Sequence, residues 1–365
     1  MRTTAAVLHS PVAPFEVEQI DLAEPGPGEV LVRLAACGMC HTDLSMRASH
    51  RPTPYPVVLG HEGSGHVAGL GAGVSGLEIG QPVVLSYASC GRCRPCRTGE
   101  PTYCERMWEL NFRCCRADGT TALSREGVRV GSHFFGQSSF ASHAVVSETS
   151  VVPVDTDAPI ELLGPLGCGV QTGAGAVLNV LRPDPGASIA IWGCGAVGLS
   201  ALLAAVVAGC KTIIGVDIHP GRRDMAIELG ATAVVDGSAD VVTEVLSLTG
   251  GRGVEYGFDA VGAPGTLENA VASLAPRGTC GFVAAGGPEQ MASFSPRHLL
   301  FGRTVTGILE GDSVPHVFIP QLLELHRTGR FPFDRLITTF ALDEVNEAES
   351  ASHRGDVIKP VLLMP

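Results

Sequence analysis

Cys90, Cys93, Cys96 and Cys104 stand in one segment, C-G-R-C-R-P-C-R-T-G-E-P-T-Y-C. Two gaps of two residues and one of seven let a single loop wrap four thiolates around one ion. A closed, tetrahedral zinc suits four cysteines. Thiolates also take iron–sulfur clusters, so spacing alone leaves both metals open. The plain alternative is a disulfide pair or chance proximity, which belongs with an exported chain. This chain opens M-R-T-T-A-A-V-L-H-S, without the basic stretch and apolar run of a signal peptide. Twelve cysteines in 365 residues are too sparse for a disulfide scaffold. The expectation is metal in a reducing cytoplasm. A net charge of −12 argues against nucleic acid as a partner, since that calls for a basic field.

A second chemical signal is G-C-G-A-V-G, holding Gly193, Gly195 and Gly198 in a G-x-G-x-x-G. It follows an apolar run, Ser188 to Trp192, that reads as a buried strand. Leu199 to Gly209 reads as a helix, and Thr212 to Val216 as a second strand ending at Asp217. The first glycine allows a tight turn, the second lets backbone approach a pyrophosphate, and the third lets helix and strand pack closely. The helix N-terminus offers free N–H groups and a positive dipole end to phosphates. Asp217, 19 positions after Gly198, is placed for an adenosine ribose diol and repels a 2′-phosphate, which favours NAD over NADP. The plain alternative is a glycine-rich turn with an unrelated surface Asp.

The same run, Ala187 to Cys210, carries no charge for 24 positions. That length suits a membrane span. Three glycines near its middle, with Pro183 and Pro185 just before it, fit a soluble strand, turn and helix better, so no membrane is expected. Further apolar runs at Val254 to Val261, Thr279 to Ala285 and Thr304 to Leu309 alternate with helical patterns at Gly221 to Gly230 and Thr266 to Leu274. Alternating strands and helices build a doubly wound parallel sheet, placing an α/β dinucleotide-binding domain at residues 170–312. The Gly- and Pro-rich part before it has short alternating strands such as Glu29 to Leu34 and reads as mostly β. It holds Cys40 in G-M-C-H-T-D, His61 and Glu62 in G-H-E, and Cys168 in L-G-C-G-V-Q-T-G. Singly, none is persuasive, because a lone buried Cys is usually a small hydrophobe. Together they offer two cysteines and a histidine.

With these pieces quoted, the chain resembles the zinc-dependent medium-chain alcohol dehydrogenases. G-M-C-H-T-D, G-H-E, the four-cysteine loop, L-G-C-G-V-Q-T-G, G-C-G-A-V-G, V-D-I and the closing I-K-P-V-L-L follow the family's order across nearly the whole chain. The set of two Cys and one His is that family's own open zinc site, so it enters by resemblance. Within the family the chain looks most like aryl (benzyl) alcohol dehydrogenases, on the segment Phe134 to Phe140. The resemblance implies a Rossmann domain at 170–312 and a mostly β, GroES-like catalytic domain at 1–169 and 313–365.

It also implies roles. Cys40, His61 and Cys168 would hold a catalytic zinc, with Glu62 behind it as an occasional ligand. The four cysteines would hold a structural zinc, giving two per chain. Asp43 would orient His61 through its second ring nitrogen. Thr42 would hydrogen-bond the alcohol, whose acidity the zinc raises, and NAD would take the hydride. Relatives often carry a His three positions after Thr42; here Ser45 stands there, so the proton relay would end at Ser45, a water or another base such as His50. An Arg often follows the first ligand; here it is His41, a weaker cation for the pyrophosphate. Lys359 matches a second pyrophosphate cation, and Arg222 joins the cofactor set. Ser86, Tyr103, Phe134 and Phe135 match positions lining the substrate pocket, with plain core packing as the alternative for the Phe pair.

The expected reaction converts an aryl, allylic or other apolar primary alcohol to its aldehyde. A thiol-adduct formaldehyde dehydrogenase would need a cationic entrance, and no basic cluster supplies one. A non-catalytic scaffold would be expected to have lost the ligands. The connection from Cys104 to Phe140, long and without clear structure, looks like that of dimeric relatives. With Thr304 to Leu309 as a pairing edge, a homodimer is expected.

Overall fold

A computed structural model describes residues 1–47, 54–284 and 289–365; His50 and Ala285 lie outside the described residues. The chain packs as two units. One comprises Met1–Cys168, Val314–Arg327 and Ile337–Pro365, the other Gly169–Ser313 and Thr328–Leu336. The sequence reading leaves residues 328–336 with the first unit; by packing they belong to the second, where Arg335 meets Glu228 at 2.7 Å.

The second unit is a six-stranded, wholly parallel sheet. Its order is Ala233–Asp236, Thr212–Asp217, Ser188–Trp192, Val254–Asp259, Leu274–Phe282, Thr304–Gly307. Numbered along the chain this is 3-2-1-4-5-6, the doubly wound dinucleotide-binding order. The charge-free run resolves into strand Ser188–Trp192, a glycine turn and helix Ala196–Ala208. That helix buries Leu199, Leu202, Leu203 and the small residues between them, which explains an apolar run without a membrane. It stops at Gly209, whose left-handed φ of 81° lets Cys210 N–H reach back to Ala205 O. No helix among the described residues is long and apolar enough to cross a membrane.

The first unit is mostly β. A seven-stranded sheet centres on Glu29–Gly38. Glu62–Leu70 pairs along one side of it; His143–Ser147 and Lys359–Leu363 share the other. This strand therefore leads to Cys40 with both edges satisfied. A five-stranded sheet runs Val57–Val58, Arg2–Leu8, Phe15–Leu22, Leu123–Arg125, Val128–Val130.

Its last two strands correct the sequence reading of 104–140 as a connection without clear structure. That stretch holds helix Met107–Phe112 and the hairpin Leu123–Val130. Arg125 faces Val128 across a two-residue turn in which Glu126 and Gly127 both take positive φ, 51° and 80°. This geometry matches the twist of paired strands and usually carries Asn-Gly or Asp-Gly, so Glu-Gly gives little warning. A buried carboxylate ties the excursion down. Glu29 accepts from Arg116 Nε (2.6 Å) and Nη2 (2.8 Å), His133 Nε2 (2.9 Å) and Gly26 N (2.8 Å). Burial works to raise its pKa, but the bonds from His133 and Arg116 prevail and hold it down at about 2.

Candidate active site

Cys40 ends the approach from the central strand, and helix His41–Arg47 starts after it. Asp43, fully buried in that helix, organises the surroundings. Its Oδ2 accepts from Cys40 N (2.9 Å); its Oδ1 accepts from Gly60 N (3.0 Å) and from His61 Nδ1 (2.9 Å). With Nδ1 engaged by Asp43, Nε2 is the ring nitrogen left to face the cluster. That atom is buried and has no hydrogen-bond partner among the described residues. Cys40, His61, Glu62 and Cys168 each offer a ligand atom, all within 4.8 Å of one another. An orphaned imidazole nitrogen facing two thiols is a donor set that fits zinc.

Electrostatics agree. A hydrogen bond from the Cys168 thiol pulls Cys40 well below the usual thiol range, against burial. Burial works against a charged His61, yet Asp43 and Cys40 raise its pKa well above the ordinary value. A cation is wanted where Nε2 points, and a metal can replace the proton.

Glu62 is 0 % exposed beneath this cluster. Here the structure corrects the reading of Lys359. It is 3 % exposed, and its Nζ donates to both Glu62 oxygens at 2.9 Å and to Met39 O at 3.2 Å. Burial works to lower its pKa, but the Glu62 charge outweighs that and raises it. Its charge is committed inside the first unit rather than offered to a pyrophosphate. The long sequence separation hid this partner.

Phe134 and Phe135, both buried, pack on the histidine. The Phe135 ring stacks on His61 at 4.4 Å and 28°, and Phe134 meets it edge-on at 5.4 Å. Thr42 is half-buried, with Oγ1 3.8 Å from Cys40 Sγ. Ser45 is exposed and donates to Thr42 O at 3.1 Å; His41 is exposed. Ser86 is buried, its hydroxyl donating to Gly167 O at 2.7 Å. Tyr103 does not join a buried pocket wall. It is 43 % exposed on the short turn before Cys104, because that turn serves the cysteine loop.

In that loop the sulfur pairs Cys93–Cys96, Cys93–Cys104 and Cys90–Cys96 are 3.3, 3.9 and 4.0 Å apart. Tetrahedral zinc with Zn–S of about 2.3 Å sets sulfurs about 3.8 Å apart, so the loop is shaped for it. Backbone N–H groups of Cys90, Cys93 and Arg106 point at sulfur. Burial raises Cys90, but the N–H groups of Arg92 and Cys93 bring it down to about 6. Burial, then the Cys93 thiol, pushes Cys96 up to about 12. Four thiolates need a cation to share their charge.

In the second unit Gly193 takes φ +89°, and a Cβ on Gly198 would stand 1.7 Å from Gly193 O. A Cβ on Gly195 would meet nothing within 4 Å, so the chain leaves open space before an N-terminus that no side chain caps. That is a cradle fit for a phosphate. Asp217 Oδ2 accepts from Cys194 N at 2.7 Å and Oδ1 from His219 N at 2.8 Å, fastening the loop from the next strand. Arg222 lies in the first turn of the following helix, Pro220–Glu228, half-buried, with Nε lacking a hydrogen-bond partner among the described residues.

Known proteins share this geometry. The alcohol dehydrogenase GroES-like domain family matches residues 26–156, and the zinc-binding dehydrogenase family residues 196–326. The chain is 46 % identical over 363 residues to a geraniol dehydrogenase of Castellaniella defragrans, covering 98 % of this chain and 97 % of that one. The chain belongs to the zinc-dependent medium-chain alcohol dehydrogenases. The dehydrogenase also superposes on an alcohol dehydrogenase zinc-binding domain protein from Burkholderia ambifaria, with TM-score 0.97 and 48 % identity over 100 % of this chain and 99 % of that one. It superposes on a benzyl alcohol dehydrogenase from Acinetobacter calcoaceticus with TM-score 0.96 and 43 % identity, over 100 % of both. It is an oxidoreductase that works with zinc and NAD.

Proposed function

We propose that this dehydrogenase oxidises apolar primary alcohols of the allylic or aryl kind to their aldehydes. The observation that carries the reading is the pair of buried rings, Phe134 and Phe135, packed on His61 beside the metal-ligand cluster. Aromatic surface there favours a flat, apolar substrate and excludes water. Relatives named for geraniol and for benzyl alcohol support the same class.

Cys40, His61 and Cys168 hold one zinc, and Cys90, Cys93, Cys96 and Cys104 a second, structural one. When bound at the first site, zinc supplies Lewis acidity that makes the alcohol a stronger acid, and NAD supplies the hydride acceptor. Asp43 fixes the His61 ring so that Nε2 faces the site. Thr42 Oγ1 accepts a hydrogen bond from the alcohol hydroxyl and, as it takes that proton, gives up its own towards a water, another base or Ser45, which lies one turn away on the same helix with its hydroxyl on Thr42 O. Lys359 holds Glu62 in place beneath the cluster. Gly193, Gly195 and Gly198 with the following helix end bind the pyrophosphate. Asp217 binds the adenosine ribose diol, with Arg222 beside it and His41 as a weaker, exposed cation.

An NADH-release screen over benzyl, cinnamyl, terpenoid, short aliphatic and thiol–formaldehyde substrates tests this. The aryl and allylic alcohols should lead in kcat/KM; a lead for the thiol adduct or for ethanol refutes it.

The reading extends to a cytoplasmic homodimer. Thr304–Gly307 is the last strand of its sheet, and Leu300 and Phe301 just before it are 81 % and 57 % exposed. An unpaired edge beside exposed apolar side chains invites two-fold pairing. Light scattering should give twice the chain mass; a tetramer or an active monomer overturns it.

A further inference from the structure

In the six-residue segment 133–138, beside the metal-ligand cluster, four residues have a left-handed backbone. His133, Phe135, Gly136 and Ser138 take φ of 63°, 53°, 68° and 62°. Three of these carry a Cβ, for which the left-handed region is unfavourable, and such strain persists only where the surroundings enforce it. The enforcement is visible. Ser138 Oγ accepts from Phe134 N at 3.0 Å and donates to Val58 O at 2.7 Å. Ser139 N and Phe140 N donate to Gly60 O (2.8 Å) and Leu59 O (3.0 Å), and His133 is tied to Ser132 and Glu29.

The contorted segment delivers Gln137, 1 % exposed, to the peptides on either side of Glu62. Its Nε2 donates to His61 O at 2.9 Å and to Ser86 O at 3.1 Å. Its Oε1 accepts from Gly63 N at 3.2 Å and from Ser139 Oγ at 2.7 Å. Two donors and two acceptor sites are the full capacity of a primary amide, and all four are used. Two carbonyl partners on one side and an N–H on the other also fix which end is nitrogen. The same segment thus grips His61 twice, by its backbone through Gln137 and by its ring through Phe135.

We propose that Gln137 is a positioning residue for the metal site, holding the His61 main chain so that Nε2 meets Cys40 and Cys168 at the geometry zinc requires. This rests on the assignment of His61 as a metal ligand. An amide is needed. Glutamate at 137 keeps the acceptors but loses both donors, and methionine keeps the length but loses all four bonds. The phenylalanines alone leave the His61 carbonyl unheld, and Asp43 alone fixes only Nδ1. Groups that orient a metal ligand typically change metal affinity 10–100-fold when removed.

The experiment uses the full-length protein with cobalt(II) in place of zinc. It records the visible ligand-field bands, the rate of metal loss to a chelator, and thermal unfolding. The bands lost in His61→Ala identify the signal of this cluster. Gln137→Met and Gln137→Glu should shift those bands and speed metal loss from this site by about tenfold or more. Val146→Ala, a core truncation in the same unit away from His61, should lower the melting temperature without moving the bands or the release rate. If Gln137→Met melts lower yet keeps wild-type bands and release, Gln137 is only structural and the proposal falls. Should the methionine variant fail to fold, the near-isosteric Gln137→Glu decides the matter by the same two readouts. If His61→Ala leaves every band in place, the ligand assignment fails instead, whatever Gln137 does.

Discussion

Asp217→Gly is the sharpest test of the cofactor site, because the carboxylate has one duty in the fold and a second in the role proposed for it. Inside the protein it accepts the Cys194 and His219 N–H groups at 2.7 and 2.8 Å. Each oxygen keeps a second lone pair, and these are what a ribose diol would use in the proposed role. Losing one hydrogen bond to a charged group costs about 1.5–3 kcal/mol, or about a factor of 10 to 150 in affinity. Losing the two internal bonds loosens the glycine loop, but that penalty falls on NADH and NADPH alike and cancels in their ratio. Removing the negative charge also relieves repulsion of a 2′-phosphate. NADH binding should therefore weaken by about tenfold or more, and the NADH/NADPH preference should narrow by about the same factor. Thermal unfolding without cofactor should also fall. Fluorescence titration with both dinucleotides reads the ratio directly. A wild type that prefers NADPH, or a glycine variant with an unchanged ratio, refutes the role given to Asp217.

Three further outcomes are expected. Elemental analysis should find two zinc ions per chain. Cys168→Ser should lose one together with activity, and Cys90→Ser should lose the other together with thermal stability; one equivalent in fully active protein contradicts this. Thr42→Ala should lower turnover by about 10²–10⁴-fold with little change in zinc content, since proton transfer of this kind contributes that much; near-wild-type turnover would assign the proton to another acceptor. The Glu29 network should make stability acid-sensitive. Its pKa falls on folding from an ordinary 4.5 to about 2, worth about 3 kcal/mol, present in full above pH 4.5 and lost as pH falls towards 2. The stability gap between wild type and Glu29→Gln in urea unfolding should be constant near neutrality and shrink below pH 4.5; a gap that does not change down to pH 3 counts against it.

Local chemistry is legible in the sequence where spacing alone dictates geometry. The four-cysteine loop and the strand Ser188–Trp192 fall where spacing and periodicity put them. The helix after the glycine turn begins at Ala196 rather than Leu199, since its first turn is made of residues that also serve the loop. Hairpin Leu123–Val130 escapes a reading of the sequence because its Glu-Gly turn lacks the usual residues and its strands are only three residues each. Lys359 stands out by its place in the closing strand, but nothing nearby names Glu62 as its partner. Gln137 goes unnoticed because a polar residue among Phe and Ser gives no sign of which distant carbonyls it will meet. Spacing reports neighbours; it does not report which buried charge or amide will be satisfied from the far end of the chain.

The two metal-ligand clusters differ in how much chain must exist before they can form. The cysteine loop closes over a separation of 14 residues, within reach of a segment just emerging from the ribosome. The other cluster needs Cys40, His61 and Cys168, and beneath them Lys359, which bonds Met39 from 320 residues away and Glu62 from 297. The Lys359 ammonium that bonds both Glu62 oxygens reaches them only with that late strand docked against Glu29–Gly38. On the proposed assignment of the two clusters, the four-cysteine loop is complete early in synthesis, whereas the cluster of Cys40, His61 and Cys168 gains Lys359 beneath it only once strand Lys359–Leu363 is in the sheet.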